Sequence, residues 1–172
     1  GVLVDNGWAG VEALTAPAAW LVILAYTFQL YLDFSGYCDI AAGAARLLGV
    51  RLPMNFDMPY RSLSVGEFWK RWHMTLTSFW RECVYFPLGG SRQGTIRAFG
   101  NILIVYLISG LWHGAGWTFV IWGALHGAAQ IVERIWSGRQ RLPSWLRWCG
   151  TFLFVNLAWV FFRAPDLAAA GT

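Results

Sequence analysis

AAWLVILAYTFQLYL, Ala18 to Leu32, is an unbroken run without charge that follows Pro17, a residue that a first helical turn accepts. About 20 apolar residues cross the hydrocarbon core of a bilayer, so the pattern predicts a transmembrane helix over residues 18–40 or so. Its second half is polar, with Asp33, Ser35 and Asp39 set among Gly36, Gly43 and alanines. Carboxylates are costly in lipid, so these side chains are expected to face protein or water. On that expectation Asp33 and Asp39 pair with arginines or cap a neighbouring helix, and the small residues form a close-packing face.

RLPMNFDMPY, residues 51–60, holds two prolines and no period, and predicts a loop. The pattern then changes. Ser64 followed by Glu67 matches a capping box, and Trp69, Trp72, His73, Leu76, Trp80 and Cys83 recur at helical spacing. This predicts one amphipathic helix over residues 65–85. With Lys70, Arg71, Ser78 and Glu82 on its other faces, it is too charged to cross lipid alone and should lie at the interface or dip into the protein. Pro87 and the Gly89–Gly90 pair end it. Two apolar helices follow, over 96–112 and 117–132, with HGAG between them, and a fourth apolar helix runs over 148–162.

Charge orients these helices. Arg92 and Arg97 precede the first of the HGAG pair, and Arg134, Arg139, Arg141 and Arg147 follow the second without an acid among them. If both groups are cytoplasmic, the HGAG turn points away from the cytoplasm. A helix of about 16 residues reaches about 24 Å, short of the roughly 30 Å hydrocarbon core, so the turn is expected to be recessed.

Composition agrees with a membrane chain: 57% hydrophobic and only 13% charged residues lie outside the range of ordinary soluble domains. Twelve Trp and twelve Phe are enough to anchor several helix ends at the lipid interface. The net charge of +4 sits between apolar runs rather than on a solvated aromatic face, which speaks against nucleic acid. The chain begins at Gly1 without a methionine and is expected to be an internal piece of a longer protein.

Several chemistries fail on spacing. Cys38, Cys83 and Cys149 show no pairing or metal-ligand pattern. Nine helical steps separate Trp117 from His126, roughly 14 Å, so His113 and His126 are too far apart to share a metal ion. There is no G-x-S-x-G and no phosphate loop. The histidines remain. His73 and His126 each admit a structural reading, as hydrogen-bonding groups within apolar helices. His113 stands at a helix junction between Trp112 and Gly114, where a substrate carbonyl has room to approach, and a neutral imidazole there suits proton removal from a hydroxyl.

Three blocks carry a family resemblance: YLDFSGYCDIAAG at 31–43, FWKRWHMTLTSFWRECVYFPLGGSRQG at 68–94 and SGLWHGAGWTFVIWGALHG at 109–127. In this order they resemble the membrane-bound O-acyltransferases, nearest to the bacterial alginate O-acetyltransferase branch and more distantly to the protein that moves D-alanine onto teichoic acids. The resemblance implies an all-α, polytopic helical bundle of the bacterial inner membrane. An acyl group from a cytoplasmic thioester, with acetyl-CoA as donor and no bound cofactor or metal, would pass through it to a hydroxyl. The acceptor would be an exported polysaccharide, or a periplasmic or membrane-anchored polysaccharide acetyltransferase that completes the transfer. The family's essential histidine matches His113 and a second important position matches His73, which would orient the acyl group or stabilise developing charge. Trp112, Trp69, Arg71 and Asp33 are the accompanying substrate-binding candidates. Two departures stand out: Cys38 where similar proteins commonly have Ser, and Glu82-Cys83 where Asp and an aromatic are common.

Two other classes also use such residues. A transporter or proton relay should show inverted repeats or paired broken helices, and none is visible. A non-catalytic scaffold would need the 65–85 segment but not His113.

Overall fold

A computed structural model describes residues 1–171. Among them eight α-helices occur and no strand: α1 (Val2–Ala9), α2 (Ala16–Leu47), α3 (Val65–Arg71), α4 (Met74–Trp80), α5 (Thr95–His113), α6 (Trp117–Ile135), α7 (Ser144–Arg163) and α8 (Leu167–Gly171). Helices α2, α5 and α7 are long and apolar enough to cross a membrane.

The first long helix extends well past residue 40. It has 32 residues, roughly 48 Å at 1.5 Å each, because nothing in AAGAARL breaks the helical ladder before Gly49. There the chain turns back with φ of +77° at Gly49, and the amides of Gly49 and Val50 donate to Arg46 and Ala45 in a Schellman closure. Asp33 and Asp39 lie on exposed faces of α2 and form no ion pair among the described residues, so the expected pairing with arginines is not made. Only Val22 and Thr27 of this helix are buried, while Tyr26, Leu30, Tyr31, Phe34 and Cys38 pack partly covered against the core.

Helix α6 is the hub. It runs antiparallel beside α5, and the two backbones approach so closely that a Cβ on Gly110 would collide with the Phe119 carbonyl, and one on Gly123 with the Tyr106 carbonyl. Small residues permit this contact, which is how apolar helices gain packing where lipid removes the hydrophobic drive. On its other sides α6 meets α3 and α7, and its Trp122 and His126 are wholly buried. Around them lies one aromatic core of Phe56, Val65, Phe68, Trp69, Trp72, Trp122, Val155, Ala158 and Trp159.

Polar bonds fix the register of the outer helices. Thr27 Oγ1 donates to Asn156 Oδ1 at 2.7 Å, joining α2 to α7, and the Tyr60 hydroxyl donates to the Thr27 carbonyl at 2.9 Å. At the start of α3 the Ser64 hydroxyl accepts from the Glu67 amide at 2.9 Å, as the capping box requires, while Glu67 Oε2 reaches the Leu63 amide rather than that of Ser64. A second carboxylate caps the same end: Glu133 of α6 accepts from the Val65 amide at 2.7 Å and the Gly66 amide at 3.0 Å, and is ion-paired with Arg139. Arg139 in turn donates to the Leu63 carbonyl and Thr151 Oγ1, so one buried pair ties together α3, α6 and α7.

The segment 65–85 is not one helix. It breaks at Trp72–His73 and ends in a π-helical turn over Arg81–Tyr85. Helix α5 also differs from expectation, running to His113 itself. Its 19 residues reach about 28 Å, close to a full hydrocarbon core and longer than the roughly 24 Å expected.

Candidate active site

The break at His73 is imposed by the 51–60 loop. The Asp57 amide donates to the Arg71 carbonyl at 2.9 Å, and the Met74 amide donates to the Asn55 carbonyl at 3.0 Å. These bonds straddle Trp72 and His73, replacing the helical ladder, and His73 takes the left-handed conformation with φ of +44° and ψ of +55°. For a residue with a Cβ this costs roughly 1–2 kcal/mol, and His is among the residue types that tolerate it. Side chains reinforce the clamp. Arg71 bridges Asp57 at 3.1 Å and Glu67 at 3.0 Å, and Asn55 Oδ1 accepts from the Thr75 hydroxyl at 2.6 Å and lies 3.1 Å from His73 Nδ1. The half-buried His73 ring meets Phe34 of α2 edge-on at 4.8 Å, and burial holds its imidazole below the ordinary histidine range. It is therefore neutral at pH 7.

His113 closes α5 in an aromatic box, with ring centroids 4.8 Å from Trp112, 5.2 Å from Trp122 and 5.0 Å from Phe162. It lies within electrostatic reach of His73. At this junction the Gly114 amide donates to the Gly110 carbonyl, and the Phe119 and Val120 amides donate to the Gly116 carbonyl. His126 is placed differently. Its Nδ1 accepts from the Trp69 indole at 3.1 Å and its Nε2 has no partner among the described residues, so in neutral form it is the Nε2–H tautomer, sealed among Tyr106, Trp122 and Phe154.

The other candidates separate. Trp112 stays 58% exposed beside His113, with Trp80 across from it at 6.4 Å. Trp69 is buried with its indole N–H committed to His126, and its ring lines a cavity of about 190 Å³. Arg71 is held by two carboxylates in the loop clamp. Asp33 is exposed on α2 and makes no hydrogen bond or ion pair among the described residues. The cavity beside Trp69 also presents Lys70, Arg81 and Arg134 together with Trp80 and Tyr106. A second cavity, about 520 Å³, lies between α2 and the loop and is lined by Ser35, Cys38, Asp39, Asn55 and Asp57. No group of three His, Cys, Asp or Glu side chains among the described residues is placed to hold a metal ion.

Comparison with known proteins matches residues 12–167 to the membrane-bound O-acyltransferase family. The chain belongs to that family. Individual relatives agree. The chain is 48% identical to the peptidoglycan O-acetyltransferase of Helicobacter pylori, over 96% of this chain and 32% of that protein. It is 46% identical to a probable alginate O-acetylase of Pseudomonas aeruginosa, over 98% of this chain and 32% of the relative. A teichoic acid D-alanyltransferase of Streptococcus thermophilus is 29% identical over 82% of this chain and 39% of its own length. The chain thus spans about a third of the length of the curated relatives it matches.

Within this membrane-bound O-acyltransferase segment, the matched range takes in α2 to α7 and with them all three histidines. Sequence reasoning missed Asn55, Trp122 and Phe162 as parts of the site. Phe162 and Trp122 belong to apolar runs that look like ordinary membrane helix. Asn55 sits in a loop whose only local signal is its prolines.

Proposed function

We propose that the full-length protein transfers an acyl group, acetyl, from a cytoplasmic thioester to a hydroxyl of an exported polysaccharide such as alginate, or to a periplasmic partner acetyltransferase that completes the transfer. The observation that carries this reading is that His73, at the break between α3 and α4, and His113, at the end of α5, lie within electrostatic reach of each other, each in an aromatic setting. His113 is the general base: it takes the proton of the acceptor hydroxyl as that oxygen attacks the thioester carbonyl, the C–S bond breaks, and the proton passes to the leaving thiolate. His73 orients the reacting groups. The names of the relatives, an O-acetyltransferase and O-acetylases, support acetyl as the group moved.

Acetyl-CoA is the donor in this reading. Lys70, Arg81 and Arg134 share a cavity with Trp69, Trp80 and Tyr106, a set of cations and aromatic faces suited to phosphates and a purine ring. The protein resides in the bacterial inner membrane, in contact with lipid along α2, α5 and α7.

The test is transfer of labelled acetyl by the full-length protein in membranes, comparing wild type, His113→Ala and His73→Asn at equal protein level. Loss of general-base catalysis lowers the rate by about 10²–10⁴-fold. Undiminished transfer by His113→Ala would refute the assignment.

A further inference from the structure

The hydrogen bonds around Asn55 decide which nitrogen of His73 carries the proton. The Asn55 side-chain atom facing Thr75 receives the Thr75 backbone amide at 3.3 Å, and a backbone N–H can only donate, so that atom is the carbonyl oxygen. The same oxygen faces His73 Nδ1 at 3.1 Å. An oxygen that only accepts requires a donor opposite it, so Nδ1 carries the hydrogen and, in the neutral ring, Nε2 carries the lone pair. Nε2 has no hydrogen-bond partner among the described residues. The amide's own orientation is fixed independently of His73 by two donors on Oδ1, the Thr75 amide and hydroxyl, with the Cys38 thiol of α2 beside it.

We propose that Asn55 is a positioning residue that holds His73 as the Nδ1–H tautomer, so that His73 accepts a hydrogen bond from the acceptor hydroxyl through Nε2 and does not donate one to the acyl oxygen. The inference rests on the reading of His73 as part of the transfer site and narrows it. Of the two tasks the family resemblance gives this residue, stabilising negative charge needs an N–H at the reacting face, and the neutral ring offers none there. Orienting the hydroxyl needs a lone pair, which is what Nε2 presents. His73 and His113 then serve the same substrate atom, one holding the hydroxyl and the other removing its proton.

The experiment uses full-length protein in membranes with labelled acetyl-CoA as donor. The ¹⁵N resonances of His73, assigned by subtraction of the His73→Asn spectrum, should show Nε2 unprotonated in wild type. Asn55→Leu should lower kcat by about 10- to 100-fold, with the KM for the donor little changed, as loss of a tautomer-setting partner does elsewhere. Asn55→Asp keeps the acceptor and adds a negative charge that favours the imidazolium, so it should retain transfer above neutrality while its acid limb moves to higher pH. The charged and titratable groups that face the Asn55–His73 site in that profile are Tyr31, Cys38, Asp39 and Arg46 of α2, Asp57 of the loop, Arg71 of α3 and His113 of α5. A protonated Nε2 in wild type overturns the proposal even if Asn55→Leu does not fold. Wild-type kcat and pH profile in Asn55→Leu, with His73→Asn inactive, overturns the proposal alone. Full transfer by His73→Asn overturns the functional reading beneath it.

Discussion

Replacing Glu133 by Ala should loosen the molecule at a place remote from the reacting groups yet wired to them. Its carboxylate and the Arg139 guanidinium are each only 15% exposed, so both charges are largely out of water. The substitution removes two charge-assisted bonds to the Val65 and Gly66 amides and leaves Arg139 unpaired. Each such bond contributes about 1.5–3 kcal/mol, and breaking a buried pair from one side costs about 3–5 kcal/mol, estimates that overlap rather than add. A loss of about 3–5 kcal/mol is therefore expected, read as the shift in unfolding midpoint of purified full-length protein in detergent. Glu133→Gln, which retains one acceptor, should lose less. The double variant with Arg139→Gln should be less damaged than the sum of the singles, because the stranded cation is gone. Since α3 ends at the His73 break, transfer activity should fall in parallel with the frayed α3 start. A change under about 1 kcal/mol in Glu133→Ala would show that water or another group satisfies these amides, and the argument would fail.

Other outcomes follow from single contacts. Gly123→Ala places a methyl against the Tyr106 carbonyl of α5, a backbone atom that cannot swing aside, and should cost about 1–3 kcal/mol in the same unfolding assay. Trp69→Phe keeps an aromatic ring but removes the hydrogen-bond donor to His126 Nδ1, leaving a buried imidazole nitrogen unsatisfied at a cost of about 1–3 kcal/mol; an unchanged midpoint would contradict it. Because burial depresses the His73 pKa, the unfolded chain binds the proton more readily. The contribution of His73 to stability is complete above its unfolded value near 6.5 and is lost as pH falls from there toward the depressed folded value, so His73→Asn should flatten the midpoint-against-pH curve in that window.

The helices were legible because their cause is local: uncharged runs, Pro17 at a start, Ser64 and Glu67 at a cap. The HGAG junction and the placing of His113 at it followed from the same patterning. The break at His73 was not legible, because the helical spacing of Trp69, Trp72, Leu76 and Trp80 continues unaltered across it. What stops the helix is a pair of backbone bonds from Asn55 and Asp57, whose partners lie some 14 to 19 positions away in sequence, and no short-range period encodes such a contact. Asn55 escaped notice for the same reason. Asp33 and Asp39 misled in the opposite direction, since buried carboxylates demand partners whereas these two lie on uncovered faces of α2.

The length of α2 also says something about the surroundings of the protein. At roughly 48 Å it exceeds a hydrocarbon core of about 30 Å, and fitting it by tilt alone would take about 50°, beyond the range of up to about 40° that spanning helices adopt. Some of it must leave the oily layer, and the polar end from Asp33 onward is the part suited to do so. The cavity lined by Ser35, Asp39 and Asn55 belongs to that polar end. Hydrophobic mismatch thus makes bilayer thickness a variable for this end of the molecule: lipids of different acyl-chain length should alter the hydration of the cavity that Asn55 lines.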